Sequence, residues 1–144
     1  MTPLERYARF WEDLSAARLP ALADLLAPDV RFKDPFNDVR GIAATIAVMH
    51  TMFDHGSPRF AISDRALGAA GTGFLRWRCT IARQRGAAIV LEGVSAIRFD
   101  AAGLVVEHVD HWDAAEQVYE HVPVLGALMR VVKRRLSATQ HRDA

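Results

Sequence analysis

A chain of 144 residues that is 51% hydrophobic, with a formal net charge of +1, can bury roughly two-thirds of its unfolded surface around one core. That balance excludes a disordered chain and a globally basic nucleic-acid binder. A lone cysteine, Cys79, excludes an intrachain disulfide and a cysteine-rich zinc site.

The N-terminal "MTPLERYARFWEDL" carries charge from Glu5 onward and has no apolar stretch of the kind a secretory signal needs. No run approaches the ~18 apolar residues of a membrane span. A cytoplasmic protein is the expectation. Leu4, Tyr7, Ala8, Trp11 and Leu14 recur at helical spacing and predict a first amphipathic helix. "RLPALADLLAP" predicts a short second helix, with Pro20 in its first turn and Pro28 stopping it. "VRFKDP" alternates Val30 and Phe32 against Arg31 and Lys33, then breaks at Asp34-Pro35, a short strand running into a turn. After the loop "FNDVRG", Ile42, Ile46, Met49 and Phe53 predict a third helix ending at Gly56.

From Pro58 the period changes to two, through "RFAISDRAL", "FLRWRCTIAR", "AAIVLEGVSAIRF" and "LVVEHVDHW". Four consecutive strands in an antiparallel meander are predicted, with Gly93 as a place for a bulge. Helical patterns follow on both sides of Pro123. Helices followed by a run of antiparallel strands argue for an α+β domain in which a curved sheet wraps the early helices and leaves a concave space for a small molecule.

The order and spacing of "DLLAPDVRFKDPF", "GIAATIAVM", "EGVSAIRFDAAGLVVEHVDHWD" and "VPVLGALMRVVKRRL" resemble the nuclear-transport-factor-2-like superfamily, and within it SnoaL-like and ketosteroid-isomerase-like domains. The resemblance covers nearly the whole chain. It implies one SnoaL-like domain over residues 1–144, a cone-shaped curved antiparallel sheet wrapped around N-terminal helices (a cystatin-like α+β barrel), and a C-terminal helical extension over about 114–137. It also implies a homodimer. The superfamily holds isomerases, epoxide hydrolases, cyclases, dehydratases and non-catalytic subunits, so the fold leaves activity open.

The isomerases of this superfamily use an aspartate just before a proline, after the first strand, as the proton-shuttling base; the resemblance places it on Asp34. Their first-helix tyrosine falls on Phe10, which cannot donate to an oxyanion, and their protonated strand aspartate falls on Ser95, a weaker donor. Tyr7, one helical turn before Phe10, stands near enough to replace part of the missing hydroxyl. An epoxide-hydrolase mechanism would need an Asp-Arg-Asp set, and no arginine is placed on the relevant face.

In "HVDHWDAAE", strand alternation puts His108, Asp110 and Trp112 on one face with Leu104 and Val106, and Glu107, Val109 and His111 on the other. His108 and Asp110 are two ligands without a third, so no metal site is expected. "DAAE" reads as a helix start, with Asp113 capping and Glu116 reaching back. The family register turns Asp110 inward. There it is either a general acid or base assisted by His108, or an acceptor tied to an arginine or tyrosine. Trp77 shares a face with Leu75, Cys79 and Ile81 as core or pocket wall, and Arg76 and Arg78, opposite, suit a dimer surface.

The candidate catalytic residues are therefore Asp110, Asp34 and His108, with Trp112, Trp77, Ser95, Phe10, Tyr7 and Trp11 lining a pocket. Two function classes follow. One is a cofactor-independent isomerase, cyclase or dehydratase acting on a small hydrophobic carbonyl or polyketide-like compound. The other is a non-catalytic ligand-binding or dimerisation module. In the tail, Leu125, Leu128, Met129, Val132 and Leu136 form a stripe away from Arg130, Lys133 and Arg134, and Arg142 adds charge beyond it. A helix packed on the domain is expected there, with no nucleic-acid or membrane partner.

Overall fold

The computed structural model describes residues 1–137; Arg142 and Asp143 of the basic tail lie outside them. The chain divides into two compact units, Met1–Trp112 and Asp113–Ala144.

In the first unit, α1 (Pro3–Glu12) starts at Thr2, whose hydroxyl accepts from the Glu5 N–H while the Glu5 carboxylate accepts from the Thr2 N–H. This reciprocal cap satisfies two donors that a helix start leaves unpaired. α1 buries Leu4, Tyr7, Ala8 and Trp11, and Phe10 beside them. The second predicted helix is a 3₁₀ segment, Ala16–Leu25, with Pro20 inside it; proline has no N–H for an α-helical bond. β1 (Leu26–Lys33) already runs through Pro28. The predicted loop contains a short strand, β2 (Asp38–Arg40), too brief to show a period of two. α2 (Ile42–Asp54) buries Thr45, Val48 and Met49, with Ile42, Ile46 and Phe53 partly buried at the flanks.

The meander consists of β3 (Ser57–Leu67), β4 (Gly73–Ala82), β5 (Ile89–Phe99) and β6 (Val105–His111). Together the strands form a curved, unclosed sheet in the order β2-β1-β6-β5-β4-β3. Only the β1–β6 pairing is parallel among those described. Register shifts interrupt β1–β6 between Leu26 and Arg31, β3–β4 between Ile62 and Asp64, and β5–β6 between Arg98 and Phe99. Such irregularities bend strands and increase twist, so the sheet curls over α1 and the main core. That core joins Tyr7, Leu19, Leu22, Val30, Phe32 and Ile97, among others.

The second unit opens with Asp113, whose side chain accepts from the Glu116 N–H at the start of α3 (Ala114–Gln117). A 3₁₀ turn at Tyr119–His121 and α4 (Pro123–Leu136) follow.

Gly93 marks no bulge, because the β4–β5 register runs unbroken from Gly73↔Ile97 to Ile81↔Ile89. The residue is glycine for space. A Cβ there would stand 2.7 Å from Trp77 Cζ2, 2.9 Å from the His111 carbonyl oxygen and 2.9 Å from Trp112 Cβ. Gly93→Ala is expected to destabilise the fold by about 1–3 kcal/mol through overpacking. Denaturant unfolding checks this, and an unchanged midpoint would refute the close packing.

Candidate active site

The site rests on how β6 faces the core. At the β5–β6 irregularity Phe99 pairs with Val105 and Arg98 with Glu107, leaving Val106 as an extra residue. The inward position before this bulge is therefore Val105, fully buried, instead of the predicted Leu104 and Val106. Beyond it the alternation holds. His108 is buried, and the Asp110 side chain keeps 18% exposure.

Ser95 is the direct cross-strand partner of Asp110. Its hydroxyl donates to Asp110 Oδ1 at 2.5 Å and accepts from the Trp77 indole N–H at 2.9 Å. His108 Nε2 lies 2.7 Å from the same Oδ1, and His108 Nδ1 lies 2.8 Å from the Tyr7 hydroxyl. One continuous chain of hydrogen bonds thus links α1, β6, β5 and β4 through Tyr7, His108, Asp110, Ser95 and Trp77. Both hydrogen bonds to Asp110 reach Oδ1, and no described residue donates to Oδ2.

Aromatic rings fix the imidazole. Its centroid lies 4.9 Å from Phe32, 5.6 Å from Tyr7 and 5.6 Å from Trp11. Burial drives the Tyr7 phenol well above its ordinary pKa; the nearby Trp11 indole opposes this and the Asp110 charge adds to it. The phenol therefore keeps its proton. The Trp11 N–H is buried and makes no hydrogen bond among the described residues. Burial also pushes the Cys79 thiol up to about 12, against a hydrogen bond with the Arg59 backbone and with help from the Asp110 charge, which leaves it a protonated, unreactive core group.

Tyr7, Trp77, Ser95, His108 and Asp110 come together. Asp34 serves another purpose locally: its Oδ1 accepts from the Phe36 and Asn37 backbone N–H groups, each at 2.7 Å, and both oxygens meet Asn37 Nδ2 at 3.1 Å. Its carboxylate closes the turn after β1. Phe10 is a core residue, edge-on to Trp11. Trp112 is half-buried, with its ring 5.5 Å from Phe36. Arginine takes no part in the Asp110 bonds described above; Arg31 instead pairs with Asp38 and Glu107, and Arg98 with Glu107. Among the described residues no group of three or more His, Cys, Asp or Glu is placed to hold a metal ion.

Two features escaped the sequence. Phe60 lies 5.2 Å from Trp11 and 5.6 Å from Trp77, bridging the two indoles. The period-two run "RFAIS" signals an inward Phe60 but not its neighbours. The Tyr7–His108 bond spans 101 residues and has no local signal. An open groove of about 590 Å³ lies among residues of β3, β4 and β5, including Ser63, Arg76, Arg78, Glu92 and Val94; neither Asp110 nor His108 lines it.

Comparison with known proteins matches residues 7–108 to the SnoaL-like domain family. No match is found among curated proteins. Among solved structures, an NTF2-like protein of unknown function from Burkholderia pseudomallei K96243 is 23% identical, with a TM-score of 0.68, over 82% of this chain and 96% of that one. A Δ5-3-ketosteroid isomerase from Mycobacterium sp. is 19% identical, with a TM-score of 0.66, over 78% and 95%. A Mycobacterium tuberculosis protein in complex with estradiol-17β-hemisuccinate is 16% identical, with a TM-score of 0.67, over 78% and 95%. At these identities the structures establish a shared fold, and the family match establishes membership: the chain belongs to the SnoaL-like domain family, with an NTF2-like fold.

Proposed function

We propose that the protein is a cofactor-independent acid–base catalyst acting on a small hydrophobic carbonyl or polyketide-like compound, with Asp110 as the proton-transferring residue. The observation that carries this reading is the asymmetry of the Asp110 carboxylate. Oδ1 takes the hydrogen bonds of His108 and Ser95, while Oδ2 receives none among the described residues and the side chain retains 18% exposure.

The direction of each hydrogen bond follows from chemistry. The buried phenol of Tyr7 retains its proton and donates to His108 Nδ1. With Nδ1 accepting, the imidazole donates from Nε2 to Asp110 Oδ1. On the other side an indole N–H can only donate, so Trp77 donates to Ser95 and the Ser95 hydroxyl proton points to Asp110. Every donor in the chain points toward one carboxylate. Asp110 is thereby a base with one oxygen fixed and the other free to take a proton from carbon. His108 and Ser95 are positioning residues, and Tyr7 acts through His108.

Asp34 is committed to its turn, which favours a non-catalytic binding module of the same fold as the second reading. The pattern of bonds to Asp110 favours the enzyme. The discriminating experiment is deuterium exchange at carbon next to the carbonyl in a panel of small hydrophobic ketones, followed by NMR. Exchange catalysed by the protein is expected to fall about a hundredfold or more in Asp110→Asn and to persist in Asp34→Asn. Exchange that is absent throughout, or unchanged in Asp110→Asn, supports the binding module.

The homodimer implied by the family belongs to the same proposal. Phe74, Val90 and Val94 are exposed beside Arg76 and Arg78 on β4 and β5, a mixed surface suited to a second copy. Val94→Arg is expected to shift the sedimentation coefficient from dimer to monomer. A monomeric native protein would contradict this assignment.

A further inference from the structure

The first turn of α4 is uncharged and its later turns are basic. From Val122 to Ser137 the sequence has no acidic residue, while Arg130, Lys133, Arg134 and Arg135 bring four positive charges. The 14-residue helix is about 21 Å long. Leu125, Leu128, Val132 and Leu136 recur at i, i+3, i+7 and i+11, so they lie along one side. All four are exposed, with Leu128 at 60% and Leu136 at 82%, and Val124 beside them stands at 85%. Gly126 is the buried residue of this helix, and its apolar stripe is exposed. That is the reverse of a helix packing its apolar face on a core.

We infer that α4 is a membrane-surface helix whose Leu125–Leu128–Val132–Leu136 stripe enters the interface of an anionic lipid bilayer, with its basic residues at the headgroups. Charge complementarity selects this occupant. A second copy of α4 laid on the same stripe would bring two basic helices together, and their repulsion opposes the apolar gain. An anionic leaflet attracts each arginine instead, and apolar insertion adds to that attraction. Arg135 lies beside the stripe and its long stem lets the guanidinium rise to the headgroups. No described helix is long and apolar enough to cross a membrane, so α4 would lie on the surface. This surface is independent of Asp110.

The test is co-sedimentation of the full chain with phosphatidylcholine vesicles, with and without 30% phosphatidylglycerol, at low and high salt, alongside sedimentation velocity without lipid. Binding to the anionic vesicles is expected, weakened by salt. Leu128→Glu should weaken it about tenfold or more, and Arg134→Gln and Arg135→Gln about fivefold each. Circular dichroism and thermal unfolding like those of the native chain would show that each variant folds. The inference is overturned if anionic vesicles do not sediment the native chain. It is equally overturned if folded Leu128→Glu binds as well as the native chain, or if that substitution changes only the oligomeric state.

Discussion

A carboxylate on the inner face of an apolar sheet sets the terms for everything around it. Removing Asp110 from water costs several kcal/mol unless protein donors replace the lost hydration. His108 and Ser95 supply that replacement at one oxygen. Each of these donors is itself buried and must be satisfied in turn, so the demand spreads to Tyr7 on α1 and Trp77 on β4. A chain of this kind holds only if every member is in register, which ties α1 to β4, β5 and β6.

The geometry that permits this is made by irregular strands. The bulge at Val106 brings Val105 into the core while His108 and Asp110 stay inward. Gly93 clears space for the Trp77 indole, whose N–H then reaches Ser95. The aromatic rings of Phe32, Tyr7 and Trp11 surround the imidazole and exclude water from it. Backbone irregularity and side-chain chemistry thus serve one end: a single charged group held in place with one edge left open.

Much of this is written in local patterns. Period-two alternation places His108 and Asp110 on one face of their strand and Trp77 on the inward face of its own, but counting outward from the turn at Asp100–Gly103, with Phe99 opposite Val105, sets Ser95 against Val109; only the extra residue at Val106 sets it against Asp110. The phase change at Val106 does not follow, because "LVVEHV" offers valine on either face. β2 is too short for a period, and the 3₁₀ form of Ala16–Leu25 depends on how Pro20 is accommodated by tertiary packing. The role of Asp34 turns on whether its backbone neighbours face it. "KDPFN" has the composition of both a catalytic strand end and an Asx turn, and Phe36 and Asn37 donate to it in the folded chain. The Tyr7–His108 bond is a product of the assembled fold, since only the packing of α1 across β6 brings the two together.

The central claim is that every donor of the buried chain points to Asp110 Oδ1, with His108 donating from Nε2 and accepting from Tyr7 at Nδ1. The most direct measurement is ¹⁵N NMR of the His108 imidazole in the native chain, in Asp110→Asn and in Tyr7→Phe. The account predicts a proton on Nε2 and none on Nδ1, an Nε2 signal that moves in Asp110→Asn and an Nδ1 signal that moves in Tyr7→Phe. A proton on His108 Nδ1, or an Nε2 signal unchanged in Asp110→Asn, would contradict it.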